Sequence, residues 1–148
     1  MIKRIIYSLL PIVGGALVGL IISGYMNYGD MVKPPLSPPS IAFPIVWTIL
    51  YILMGISYFL ATKDKENYKE LNQIYILQLL VNFFWQIIFF VLKMYFTAFL
   101  WMILLVILVG AMIKELFNKN KVSGYLQILY FIWLIFASYL NIGIFLLN

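Results

Sequence analysis

The chain has 148 residues, of which 65% are hydrophobic and 10% charged. Soluble domains sit near about 45–50% and about 25%, so this is one domain, residues 1–148, whose solvent is lipid. The formal charge of +5 does not point to nucleic acid, because the basic residues fall at the ends of apolar runs and in short loops and share no face. With no cysteine and no histidine, disulfides, thiolate chemistry, the usual zinc sites and histidine-ligated haem are excluded, and no metal site is expected.

Five apolar runs, Ile5 to Met26, Ile41 to Ala61, Asn72 to Leu92, Tyr95 to Ile113 and Val122 to Leu147, each approach the roughly 20 residues that cross a bilayer core. They predict an all-α membrane protein, a bundle of five transmembrane helices. The first run follows Lys3 and Arg4 as a signal peptide would, but it is long and lacks a clean small-residue cleavage site, so it is read as a retained helix. Within it Gly15, Gly19 and Ser23 form a ladder of small residues that admits a close backbone, from the same chain or from a second copy.

The loop after this helix contains Lys33, Pro34, Pro35, Pro38 and Pro39. Each proline fixes φ near about −65° and removes a donor, so the loop is stiff and extended and is expected to act as a lid. Pro44 stands where a helix can begin, and Trp47, Tyr51, Gly55 and Tyr58 follow on one face. That face reads either as a helix–helix contact or as the wall of a ligand pocket. Lys63 to Glu70, with Lys65 among its alternating charges, reads as a solvated linker.

The third run carries Gln78, Asn82, Trp85, Gln86 and Phe89 in one stripe. Amides at membrane depth need partners, so the stripe faces inward, either as helix glue or as cavity lining in which Asn82 and Trp85 combine a hydrogen bond with a stacking plane. The fourth run is nearly featureless and reads as scaffold with Trp101 near an interface, followed by a linker over Lys114 to Lys121. In the fifth, Tyr130, Trp133, Ala137 and Asn141 again share one face. Three stripes of the same chemistry converge more readily on one shared cavity than on three separate contacts.

Lys3, Arg4, Lys63, Lys65, Lys69, Lys114, Lys119 and Lys121 lie on one side and Lys33 and Lys93 on the other. This bias predicts a cytoplasmic N-terminus and an outward-facing lid. No run holds a titratable carboxylate, lysine or histidine, which argues against proton-coupled transport and intramembrane proteolysis. The ligand suited to the stripes is broad, flat and apolar, with acceptors for the Trp47 N–H, Asn82 and Asn141: a tetrapyrrole, a sterol or a synthetic aromatic drug. Without histidine, free-base porphyrin is favoured over ligated haem.

The loop KPPLSPP followed by FPIVWTILYILMG, VNFFWQIIFF in the third run and YFIWLIFASYLNIGIF in the fifth together resemble the TspO/MBR family, the tryptophan-rich sensory proteins and mitochondrial translocator (peripheral benzodiazepine receptor) proteins. The resemblance covers nearly the whole chain. It implies a five-helix, commonly homodimeric receptor in the lipid bilayer that needs no cofactor. Such a receptor binds porphyrins such as protoporphyrin IX, or drug-like aromatic ligands of the benzodiazepine site, beneath the first loop. Carried over by motif, the ligand-binding positions are Trp47, Tyr51, Asn82, Trp85, Phe89, Trp133, Ala137 and Asn141. Trp47 and Trp133 fall where some bacterial members are associated with light- and oxygen-dependent porphyrin degradation, which would make them the catalytic pair. Passive transport of porphyrin-like metabolites is the alternative, and an assembly subunit with a filled interior is the third reading. Leu36 stands where the family typically has tryptophan, and Gln86 and Ile87 where many relatives have a proline pair. Residue usage points to a bacterial plasma membrane.

Overall fold

The computed structural model describes residues 1–64 and 66–148; Lys65, counted above in the charged linker, lies outside the described residues. Five helices are long and apolar enough to cross a membrane: α1 (Ile2–Ile22), α2 (Ala42–Ala61), α3 (Lys69–Gln86), α4 (Tyr95–Lys119) and α5 (Lys121–Leu147). No strand occurs among the described residues. The protein is a multi-pass membrane protein, and its lipid-facing surface is a continuous apolar band that includes Leu17, Leu20, Ile45, Ile52, Ile107 and Ile132.

Several helix ends differ from the expected ones. The first helix begins at Ile2, ahead of its charged residues, and ends at Ile22 in a 3-10 turn over Ser23–Tyr25. The linker expected over Lys114 to Lys121 does not exist, because α4 runs on to Lys119 and only Asn120 separates it from α5. Lys114 and Glu115 are good helix formers, and Leu116 remains buried beside them. The charges there mark the end of the apolar span and not the end of the helix. Asn120, in an extended conformation, accepts from the Ser123 N–H and caps α5.

The C-terminal turn of α3 widens into a π-turn over Ile87–Val91, with the Leu92 N–H donating to Ile87 O at 3.0 Å, and Lys93 ends it at φ 55°. The extra residue in this turn brings the neighbours Phe89 and Phe90 round to the same interior space, an arrangement that a regular α-turn, at about 100° per residue, makes less readily.

Most of the described basic residues, Lys3, Arg4, Lys63, Lys69, Lys114, Lys119 and Lys121, share one end of the bundle, opposite Lys33 and Lys93. Arg4 donates to Phe59 O and, at 3.2 Å, to Thr62 Oγ1, satisfying the carbonyl end of α2. Lys119 pairs with Glu66 at 3.6 Å across the two turns at that end. Helices α1 and α2 meet where Gly55 lies against the Ser8 carbonyl. The small-residue ladder of α1 divides its work within the chain: Gly15 receives the Tyr51 ring, while nothing lies within 4 Å of a Cβ built on Gly19.

Candidate functional site

A cavity of about 410 Å³ lies in the half of the bundle towards the proline loop, within the size range of small-molecule sites. Its walls come from α2, α3 and α5, the three helices whose stripes pointed to it, together with α1, and none from α4. Trp47 and Tyr51 form the α2 side, with their rings stacked at 5.6 Å and 28°. Trp85, Phe89 and Phe90 form the α3 side, with Trp85 and Phe89 stacked at 5.2 Å. On α5, Ala137 and Asn141 stand one turn apart and leave the recess between those aromatic walls.

Two of the expected residues are not wall. Asn82 is 1% exposed and lies below the cavity floor. There its Oδ1 accepts from the Tyr51 hydroxyl at 2.6 Å and its Nδ2 donates to the Tyr130 hydroxyl at 2.8 Å. Tyr130 in turn donates to Gln78 Oε1, and the Gln86 amide donates to the Tyr51 oxygen at 2.9 Å. The amide stripe of α3 is thus chiefly a closed polar layer: Asn82 Oδ1 also accepts from the Gln86 amide at 3.3 Å, so all three of its bonds go to protein side chains and none to the cavity. Replacing Asn82 with leucine strands the Tyr51 hydroxyl proton, while Tyr130 keeps Gln78 as acceptor and Gln86 keeps the Tyr51 oxygen. The expected loss is about 2 kcal/mol, from the roughly 1–3 kcal/mol of one stranded buried group tempered by the roughly 0.6 kcal/mol average of intramembrane bonds. Denaturation in detergent measures it, and an unchanged midpoint would show that the layer carries no stability.

Trp133 also stands back from the cavity, behind Trp47, with the two rings edge to face at 6.4 Å. Its indole N–H is buried without a protein partner. The four indoles divide cleanly: Trp85 donates to Asn141 Oδ1 at 2.9 Å and Trp101 to Val81 O at 2.8 Å, whereas Trp47 and Trp133 make no hydrogen bond from the indole among the described residues. The first pair ties helices together. The second pair is adjacent and unspent, and of the two only Trp47 lines the cavity.

The proline loop covers the site without lining it. Lys33, Pro34, Pro35, Pro38 and Pro39 do not touch the cavity; its roof is Tyr28, Met26 and Ser40. The prolines hold that roof down. Pro34 sits in the notch left by Gly143, Tyr139 donates to Pro35 O at 2.6 Å, and the Asn148 side chain exchanges two hydrogen bonds with the Val32 backbone. Tyr28 donates to Pro38 O at 2.8 Å and meets Phe43 edge to face, and burial pushes its phenol above the ordinary tyrosine range. Lys33 folds back over the Tyr28 ring at 4.8 Å and donates to loop carbonyls. Leu36, 87% exposed, holds the left-handed conformation at φ 69° that usually goes to glycine or asparagine. The sequence marked this loop through its prolines but gave no sign of the roof residues Met26 and Tyr28, which precede them and carry no motif.

No group of His, Cys, Asp and Glu that could hold a metal occurs among the described residues. The sequence profile described as the TspO/MBR family matches residues 7–147. The chain belongs to the TspO/MBR family. Among its relatives, "Tryptophan-rich protein TspO" of Chlorobaculum tepidum is 34% identical over 124 residues, 82% of this chain and 78% of that protein. "Translocator protein homolog" of Schizosaccharomyces pombe is 32% identical over 146 residues, 95% and 89% of the two chains. "Tryptophan-rich sensory protein" of Cereibacter sphaeroides is 31% identical over 121 residues, 82% and 76%. Membership accounts for the five-helix architecture and places the chain among membrane proteins of sensory and regulatory character.

Proposed function

We propose that this TspO/MBR-family protein is a membrane sensor whose ligand is a broad planar molecule of the tetrapyrrole class, with protoporphyrin IX as the working example. Drug-like aromatic compounds of the benzodiazepine site fit the same recess. The observation that carries the reading is the cavity itself: about 410 Å³ between the aromatic faces of Trp47 and of Trp85 with Phe89, opened by the small side chain of Ala137. Planar π systems gain most from such facing rings, and the unspent Trp47 N–H offers a donor to a pyrrole nitrogen or a propionate. In this reading the basic end lies in the cytoplasm of a bacterial cell, the cavity lies towards the outer face of the plasma membrane, and the protein works as a homodimer.

The filled interior required of an assembly subunit is not what the bundle has. Passive transport gains nothing from the geometry, since the Tyr51, Asn82, Tyr130 and Gln78 layer closes the floor. Light-driven porphyrin oxidation remains part of the proposal, with molecular oxygen as oxidant, Trp47 as the oxidisable ring beside the ligand and Trp133 as the second ring behind it, edge to face with Trp47. Protoporphyrin mixed with the purified protein is expected to quench tryptophan fluorescence saturably and, under illumination in air, to lose its absorbance. The double variant Trp47→Phe, Trp133→Phe is expected to keep the fold and lose at least about tenfold in that photochemical rate, about 1.4 kcal/mol in the barrier. Binding without any dependence on the two indoles would leave a receptor and remove the catalytic pair.

A further inference from the structure

The six most open residues of the cavity lining are confined to one side. Ala16, Leu20 and Met26 on or just after α1, and Ser40, Pro44 and Thr48 at the start of α2, are exposed, while the lining residues of α3 and α5 are buried or half-buried. The roof is tied to α5 at Gly143, Tyr139 and Asn148, and the floor is the hydrogen-bonded layer. The mouth therefore lies between α1 and α2, and it faces lipid. At its centre Gly19 leaves open space where a side chain would stand, and α1 is the least buried of the five helices.

We infer that the resident occupant of this cavity is an acyl chain of a bilayer phospholipid, inserted sideways through the α1–α2 mouth. Water is a poor filler. Most polar groups that reach the cavity are already committed, Tyr51 to Asn82, the Gln86 amide N–H to Tyr51, both ends of the Asn141 amide to Trp85 and Tyr95, and Thr48 to Pro44 O; the Trp47 N–H, the Gln86 carbonyl and the rim hydroxyl of Ser40 are too few to give the two to four partners a buried water needs to the several waters this volume would hold. An empty space of this size would forfeit the dispersion contacts of its whole lining. Lipid chains are the most abundant apolar molecules beside a mouth that opens sideways into a bilayer, and the cavity lining carries no charge to repel them. A planar ligand then binds by exchange with a chain and arrives dissolved in the membrane; this last step rests on the tetrapyrrole reading, while the occupancy does not.

The test uses the full chain in vesicles of phosphatidylcholine brominated at mid-chain, a short-range quencher of indole fluorescence, against unbrominated vesicles. Two of the four indoles, Trp47 and Trp85, line the cavity, so blocking the mouth with Gly19→Phe is expected to restore on the order of half of the quenched intensity. Val13→Phe, exposed on the same helix but away from the cavity, restores none. If Gly19→Phe does not fold, the comparison is read on Ala16→Phe, whose ring falls on the same rim. Quenching equal to that of the unaltered chain in a folded rim variant overturns the proposal. No porphyrin enters this measurement, so a protein that binds lipid but no tetrapyrrole is told apart from the reverse.

Discussion

Ala137→Leu is expected to weaken protoporphyrin binding by at least about tenfold, about 1.4 kcal/mol, while leaving the fold as stable as before or slightly more so. Ala137 lies on α5 one turn from Asn141, in the recess between the Trp47 and Trp85 walls. A larger side chain there occupies the space a planar ring system needs. The same substitution adds methylenes to a cavity that no side chain of the protein fills instead of to a packed core, and covalently held atoms there displace only an exchangeable chain, recovering some of the roughly 24 cal/mol per Å³ that unfilled volume costs. Binding and stability should therefore move in opposite directions. Fluorescence titration with protoporphyrin and thermal unfolding in detergent, run on the same preparation, read both. Loss of affinity together with loss of stability would mean general damage, and an unchanged affinity would move the ligand elsewhere.

What the sequence disclosed depended on whether a residue's chemistry was unusual for its surroundings. Amides and indoles at membrane depth cannot be ignored by the fold, so Trp47, Tyr51, Trp85, Phe89, Ala137 and Asn141 were legible as one inward-facing set, and they meet. The same rule could not separate a side chain that faces a void from one that faces another side chain. Asn82 and Trp133 lie on the right helix faces and yet stand one layer back, because depth across a bundle is set by packing between helices and leaves no period in the chain. Stiffness was legible in the prolines, but what they clamp was not. Gly143 and Asn148, more than 100 positions away, supply the clamp and carry no local signal. The fusion of α4 into the expected linker has the same origin. Hydropathy reports where lipid ends, whereas helix propensity at Lys114 and Glu115 carried the helix through that boundary.

The largest structural effect is expected from Gly55→Leu, with a loss of about 3 kcal/mol, at the upper end of what overpacking costs, or roughly 6–12 °C in the unfolding midpoint. The contrast with other glycines of the same interface makes the case. A Cβ on Gly55 would lie 2.2 Å from the Ser8 carbonyl oxygen, and a backbone atom cannot turn away, so α1 itself must move off α2. In lipid no hydrophobic gain draws the helices back together, because association there rests on close packing and a few polar contacts. Those contacts include Arg4 on the end of α2 and the Tyr75 hydroxyl on Tyr7 O, and a shift of α1 loosens both. On Gly15 the added atom would meet the Tyr51 ring at 2.4 Å. That ring could swing only by leaving its hydrogen bond to Asn82, so Gly15→Leu should cost less than Gly55→Leu and should also disturb the cavity floor. On Gly19 nothing stands in the way, and leucine is a better helix former than glycine, so Gly19→Leu should leave the midpoint unchanged or raise it. Unfolding midpoints in the order Gly55, Gly15, Gly19 from lowest to highest are the expected result; a Gly19→Leu as damaging as Gly55→Leu would mean that the α1–α2 mouth is closed by a contact absent from a single chain.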